Sequence, residues 1–188
     1  MSHPAPATPR DAFDHLLAGN LRFAAGTPRH PHQDAAHRAD PACAQRPFAV
    51  LLGCSDSRPA AEIIFDQGLG DLFVVRTAGH AAGPEVLGSI EYGVSVLDCP
   101  LVVVLGHDAC GAVTATRAAG VGDDDGSIDT HVRQTVDFLL ERSRELADQV
   151  AAGRTAVVGL SYRLAEGTAR LVVSRGLDLP SDAAAAAR

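Results

Sequence analysis

The sequence predicts an α/β fold with a central, mostly parallel β-sheet flanked by helices and an N-terminal helical arm. The first observation is a set of short β-branched runs that are apolar throughout, as in strands buried on both faces of a parallel sheet. The second is that helical or irregular stretches separate these runs along the chain. The third is the length of 188 residues, which suits one domain with a sizeable core.

Charge and hydropathy narrow the classes of partner. The net charge of -7 argues against general binding to nucleic acid or to an anionic membrane, because both need a basic face. No apolar run approaches the roughly 18 residues that span a bilayer, and no signal peptide is visible. We therefore expect a cytoplasmic protein, in which four cysteines indicate metal ligands, catalytic thiols or packing rather than disulfides.

The N-terminal part of the chain divides into a tail and an arm. Residues 1–10 are polar and proline-rich and are expected to be flexible. Residues 11–25 predict an amphipathic helix, because large apolar side chains recur at helical spacing. These side chains are Phe13, Leu16, Leu17, Leu21 and Phe23. Residues 26–47 hold several prolines and histidines and no apolar period, so 11–47 is predicted as a helix followed by an arm.

Residues 48–176 are predicted to form one α/β domain. Four parallel strands are expected at 48–53, 72–76, 101–106 and 155–160. A fifth strand at 169–176 would lie antiparallel at an edge. Residues 128–152 keep one apolar stripe with arginine and glutamate opposite, which predicts a single long amphipathic helix. Residues 177–188 are alanine-rich and are expected to be a flexible tail.

Side chains with metal-binding chemistry follow two of the predicted strands. Cys54 follows the first strand, and His107 and Cys110 follow the third in the segment GHDACG. Functional groups gather at the carboxyl ends of strands in such a sheet, so we expect these three side chains to meet. Two thiolates and one imidazole suit Zn²⁺, which takes sulfur and nitrogen ligands in a tetrahedron. Three protein ligands with water in the fourth position is the catalytic pattern.

Other interpretations stay open for these residues taken one at a time. A lone His-x-x-Cys pair often packs without binding a metal, and Cys54 alone could be a nucleophile in an anion pocket. Asp56 is either a fourth ligand in a closed state or a partner of the metal-bound water. Cys99 precedes a strand and is expected in the core. The other histidines are expected to be solvated or structural.

Four motifs together resemble those of the β-class carbonic anhydrase family. They are CSDSR (54–58), GDLFVVRTAGH (70–80), GSIEYGV (88–94) and GHDACGAV (106–113), in the family's order and at its usual separations. The resemblance extends from about residue 11 to Gly159. The chain departs from the pattern at 120–127, where many members carry more helical sequence that helps to build subunit contacts.

This resemblance implies a zinc lyase, carbonate dehydratase. It would hydrate CO₂ reversibly to bicarbonate and a proton through attack by zinc-bound hydroxide. One Zn²⁺ per subunit would be held by Cys54, His107 and Cys110. Asp56 and Arg58 match the family's catalytic aspartate–arginine pair, and Asp56 would become a further zinc ligand when it leaves Arg58.

The resemblance also implies a substrate cleft and a partner subunit. Gln45, Phe73 and Tyr92 fall on cleft positions, although Phe73 also suits the core and Tyr92 also suits helix packing. The partners would be CO₂ or bicarbonate and a second copy of the chain. The family is built on dimers in which the N-terminal helix embraces the neighbour, so segment 11–47 predicts a homodimer, with a tetramer as the larger alternative.

Two alternative functions keep the same fold. A hydrolase of carbonyl sulfide or carbon disulfide would use a similar zinc site, and the sequence does not show the cleft access that would decide between the substrates. A catalytically silent binding protein would keep the fold without the reaction. The presence of the complete set of ligand and pair residues argues against this last alternative.

Overall fold

Five strands form one sheet in the order β2-β1-β3-β4-β5. The computed structural model describes residues 6–39, 45–118 and 127–177. The strands are β1 (Ala49–Cys54), β2 (Leu72–Thr77), β3 (Leu101–His107), β4 (Ala156–Arg163) and β5 (Thr168–Arg175). The first four run parallel, and β5 pairs antiparallel with β4 at one edge. The predicted α/β class and the antiparallel edge strand are both confirmed.

Helices cover both faces of this sheet. They are α1 (Pro9–Ala24), α2 (Ala35–Ala39), α3 (Ala61–Ile64), α4 (Pro84–Ser95), α5 (Gly111–Ala118), α6 (Ile128–Arg142) and α7 (Arg144–Ala151). A short 3₁₀ turn, Ala78–His80, follows β2. Within the described part of the chain, no helix combines the length and the apolar character needed to cross a membrane. The expected terminal tails and the 120–127 loop fall largely outside the described residues.

The sheet separates two apolar cores. Because successive side chains of a strand point to opposite faces, Leu51 and Val103 pack on one side while Val50 and Val102 pack on the other. The first core receives α1 and α3, and the second receives α4, α6 and α7. Strands β1 and β3 are buried along their whole length. The apolar runs of these two strands are therefore explained by burial on both faces of the sheet, as the sequence predicts.

Helix α1 is fixed to the domain by a buried polar side chain. The Asn20 amide donates to the carbonyls of Ile64 and Gly167, each at 2.9 Å, and its oxygen accepts from the Ala169 amide at 2.8 Å.

The predicted apolar stripe of α1 is only partly right, because Leu21 is 67% exposed. Helical spacing gives the face on which a side chain lies, but not whether a neighbour of the same chain covers it.

Two further expectations are corrected by the structure. The predicted helix 128–152 is two helices, because Ser143 takes an extended conformation and its hydroxyl accepts from the Leu146 amide to start α7. Serine is a favoured N-cap for this reason. Strand β2 is half-buried rather than buried on both faces, because it lies at the edge of the sheet.

Candidate metal centre

The three predicted ligands meet where β1 and β3 end. These strands are neighbours, with Gly53 in register with Leu105, so that Cys54 and His107 leave the sheet side by side. Strand β1 lies between β2 and β3, which is the point where the strand order reverses and where α/β sheets place their sites. Cys110 follows a turn and immediately precedes α5, which begins at Gly111.

The geometry of these ligands fits a tetrahedral zinc ion. The ligand atoms of Cys54, His107 and Cys110 all lie within 4.8 Å of one another, and all three residues are buried. The two Sγ atoms are 3.8 Å apart. Two sulfurs at about 2.3 Å from a tetrahedral zinc would be about 3.8 Å apart, so the thiols already have the spacing of ligands.

The orientation of His107 points to the same conclusion. Its Nδ1 donates to the Asp108 carbonyl at 2.8 Å, which leaves the lone pair on Nε2. This Nε2 is buried and has no hydrogen-bond partner among the described residues. A backbone carbonyl that fixes the second ring nitrogen is the usual support of a metal-binding histidine.

The two thiols differ in acidity. Burial raises the pKa of Cys54, but the neighbouring His107 ring and hydrogen bonds from the amides of Asp56 and Gly79 outweigh it and bring the pKa to about 7. Burial raises the pKa of Cys110, and the neighbouring Cys54 raises it further. The cluster therefore supplies one thiolate near neutral pH, and a bound cation would favour the second.

Asp56 and Arg58 form a two-pronged ion pair beside the cluster. The Arg58 guanidinium donates through Nε and Nη2 to the two carboxylate oxygens of Asp56, at 2.9 and 2.6 Å. These bonds hold the pKa of Asp56 well below its usual range. Asp56 Oδ2 lies 4.0 Å from His107 Nε2. An ionised acceptor is thus held next to the three ligands.

Arg58 also connects the two strand ends. Its Nη2 donates to the Ala109 carbonyl at 3.2 Å, in the turn that leads to Cys110. The same side chain therefore contacts the β1 segment through Asp56 and the β3 segment through Ala109.

Arg76 is a site residue that the sequence interpretation missed. Its Nε donates to the Cys54 carbonyl at 2.8 Å, and its Nη2 donates to the Asp56 carbonyl. It thereby holds the backbone that carries both side chains. The sequence feature that could have indicated this role is its position at the end of the second strand, where parallel pairing places it opposite Gly53.

The predicted cleft residues lie on β2 (Phe73), on α4 (Tyr92) and in the segment before β1 (Gln45), and their role in a cleft stays a prediction. Phe73 and Tyr92 form a tilted ring pair with centroids 5.9 Å apart. Phe73 is half-buried and Tyr92 is exposed. Gln45 is exposed in the segment that leads to β1. Cys99 is a core residue as expected, and its thiol donates to the Pro47 carbonyl at 3.2 Å.

Comparison with curated proteins gives relatives that span nearly the whole chain. The carbonic anhydrase 2 of Mycobacterium tuberculosis is 47% identical over 191 residues, which cover 87% of this chain and 92% of that protein. The carbonic anhydrase of Mycolicibacterium smegmatis is 48% identical over 193 residues, which cover 88% and 94%. The carbonic anhydrase family model matches residues 49–135, the segment that contains the candidate ligands.

Solved structures share the fold. A β-carbonic anhydrase of Sordaria macrospora, described as tetrameric, has a TM-score of 0.63 at 21% identity and covers 87% of this chain and 98% of its own. A β-carbonic anhydrase of Aspergillus fumigatus has a TM-score of 0.61 at 25% identity and covers 93% and 95%. These structures support the architecture described above.

Proposed function

Because this chain belongs to the β-carbonic anhydrase family, we propose that it hydrates CO₂ reversibly to bicarbonate and a proton at a zinc centre. Zinc would be held by Cys54, His107 and Cys110, one ion per subunit. The observation that carries this proposal is the 3.8 Å spacing of the two thiols, beside a buried His107 Nε2 that has no hydrogen-bond partner among the described residues. When bound, zinc supplies a Lewis acid that lowers the pKa of a coordinated water to roughly 7.

Asp56 would orient the reacting water as a hydrogen-bond acceptor. Its Oδ2 lies 4.0 Å from His107 Nε2, close enough to receive a hydrogen bond from a water next to the ligands. Arg58 keeps this carboxylate ionised through two hydrogen bonds, so that Asp56 accepts rather than donates. In this arrangement Asp56 would be paired with Arg58 rather than act as a fourth ligand.

The proposed assembly is a homodimer. Strand β2 leaves one edge of the sheet half-exposed. Apolar side chains are exposed on α1 and at the end of α4, where Leu21 and Val96 are 67% and 59% exposed. A relative of the same fold is described as tetrameric. Sedimentation or light scattering of the zinc-loaded protein would decide between a dimer and a tetramer.

The reaction is tested by stopped-flow CO₂ hydration together with measurement of bound metal. We expect about one zinc per chain and rapid CO₂ hydration that disappears when a chelator removes the metal. Hydrolysis of carbon disulfide, assayed on the same sample, should be slow by comparison. A fully zinc-loaded protein without CO₂ hydration would overturn the proposal. Rapid carbon disulfide hydrolysis in that sample would then support the alternative hydrolase.

A further inference from the structure

The turn Ala78–His80 brings a backbone donor to a candidate metal ligand. The Gly79 amide donates to Cys54 Sγ at 3.3 Å. Gly79 and His80 both have positive φ angles, of 65° and 46°. A non-glycine residue in this left-handed region is strained and persists only where surrounding groups hold it. The left-handed conformation of His80, and with it the shape of the turn, therefore depends on contacts from outside the turn.

His131 on α6 makes such a contact. Its Nε2 donates to the Gly79 carbonyl at 3.0 Å, and because a carbonyl only accepts, the proton of this ring is on Nε2. The His131 ring also packs against the His80 ring, with centroids 4.5 Å apart and planes 49° apart. One side chain thus holds both left-handed residues of the turn.

His80 contributes packing rather than hydrogen bonds. It is fully buried, and neither ring nitrogen has a hydrogen-bond partner among the described residues. Burial, with His131 and His107 nearby, lowers the pKa of His80 to about 3, so its ring stays neutral. An uncharged His80 ring can remain packed against His131 across the working pH range.

Helix α5 closes the other side of the turn. A Cβ atom at Gly79 would lie 3.3 Å from the Ala112 Cβ and 3.6 Å from the Val113 Cγ2. The turn therefore lies between α5, which directly follows Cys110, and His131 of α6. Loss of the His131 hydrogen bond would free the α6 side of the turn, and the Gly79 amide would then turn away from the Cys54 sulfur.

We propose that His131 is a positioning residue of the metal centre, which holds the Gly79 amide on the Cys54 sulfur. The inference rests on the proposed zinc site, because it concerns a thiolate that binds the metal. A hydrogen bond to a ligand thiolate stabilises its lone pairs and tunes the metal that it holds. His131 touches neither the ligand nor the reacting atoms and acts only through the backbone of the turn.

The test replaces zinc with cobalt(II), whose sulfur-to-metal charge-transfer band reports on the ligand thiolates. His131→Phe keeps a ring against His80 but removes the donor, whereas His131→Gln keeps an amide donor at a similar reach. We expect the band of His131→Phe to move to lower energy and metal affinity to fall about 10- to 100-fold. His131→Gln should recover most of both. Thr135→Val removes a hydroxyl bond to the His131 carbonyl and serves as the control for loosening of α6.

Each result has a defined meaning. An unchanged band in His131→Phe, or equal shifts in the Phe and Gln variants, would overturn the inference because the donor would then have no separate effect. A shift of the same size in Thr135→Val would also overturn it, because general loosening of α6 would explain the change. Absence of any sulfur-to-cobalt band in the wild-type protein would contradict the proposed metal site instead.

Discussion

The Sγ atoms of Cys54 and Cys110 lie 3.8 Å apart, although 56 residues separate them in the sequence. One thiol comes from the end of β1 and the other from the turn before α5. Neither segment contains a complete set of ligands. The cluster therefore depends on the parallel pairing of β1 with β3, which brings the two segments together.

Cys54→Ala should abolish zinc binding and CO₂ hydration together, because one thiolate and one imidazole remain. Cys99→Ala is the matched control, since it also removes a buried thiol but from the core. It should keep about one zinc per chain and lose about 1 kcal/mol of stability through the lost packing. Metal analysis and urea unfolding measure the two effects. Full zinc content in Cys54→Ala would contradict the ligand assignment.

Asp56→Asn should keep zinc and lose most of the activity. Three protein ligands remain, but a neutral amide replaces the ionised acceptor that Arg58 holds in place. Loss of such a group typically costs about 100-fold or more in rate. Asp137→Asn, which breaks an exposed pair with Arg175, should leave rate and metal content unchanged. Zinc loss in Asp56→Asn would instead make Asp56 a required ligand in the resting state.

Parallel topology explains why much of the centre could be predicted. Apolar runs identified the strands, and the carboxyl ends of neighbouring parallel strands must lie at the same edge. Cys54 and His107 were therefore brought together by sheet geometry alone. The tetrahedral chemistry of two thiolates and an imidazole then indicated zinc.

The supporting contacts could not be predicted in the same way. His131 donates to a backbone carbonyl 52 residues away, and a carbonyl is present at every position of the chain. Ser143 lies within a continuous apolar period, so nothing in that period shows where its hydroxyl ends one helix and starts the next. Such contacts depend on the packing of the helices rather than on the local pattern.

Gly159→Ala should destabilise the protein by about 1–3 kcal/mol, because the sheet and α6 are too close for a methyl group. The added Cβ would lie 2.5 Å from the Val132 Cγ1 and 2.7 Å from the Val173 Cγ1. Combining it with Val132→Ala should restore part of the loss, so that the double variant is more stable than the sum of the two single effects predicts. Urea unfolding measures all three variants.

The matched control for this steric effect is Gly88→Ala in helix α4. A Cβ at Gly88 would meet nothing within 4 Å. Alanine is favoured over glycine inside a helix, so this variant should gain about 0.5–1 kcal/mol. Equal destabilisation by Gly88→Ala and Gly159→Ala would show that crowding against Val132 is not the cause.

Asp66→Asn should reduce stability at pH 7 and have a smaller effect in acid. The buried Asp66 carboxylate accepts from the Arg22 guanidinium at 2.6 Å and from the amides of Arg29 and His30. Burial raises its pKa, but these hydrogen bonds outweigh burial and lower it below the ordinary carboxyl value. Loss of the charged acceptor should cost about 2 kcal/mol at neutral pH.

The sign of the pH dependence follows from that lowered pKa. Above the ordinary carboxyl pKa of about 4, Asp66 is ionised in both the folded and the unfolded chain, and its stabilisation is complete. As the pH falls toward the lower folded value, the unfolded chain takes up the proton first and the stabilisation is lost. The gap in unfolding free energy between wild type and Asp66→Asn should therefore narrow below about pH 4. Asp14→Asn, on the exposed face of α1, is the control, and a gap for Asp66→Asn that stays constant from pH 7 to pH 3 would contradict this role of the buried carboxylate.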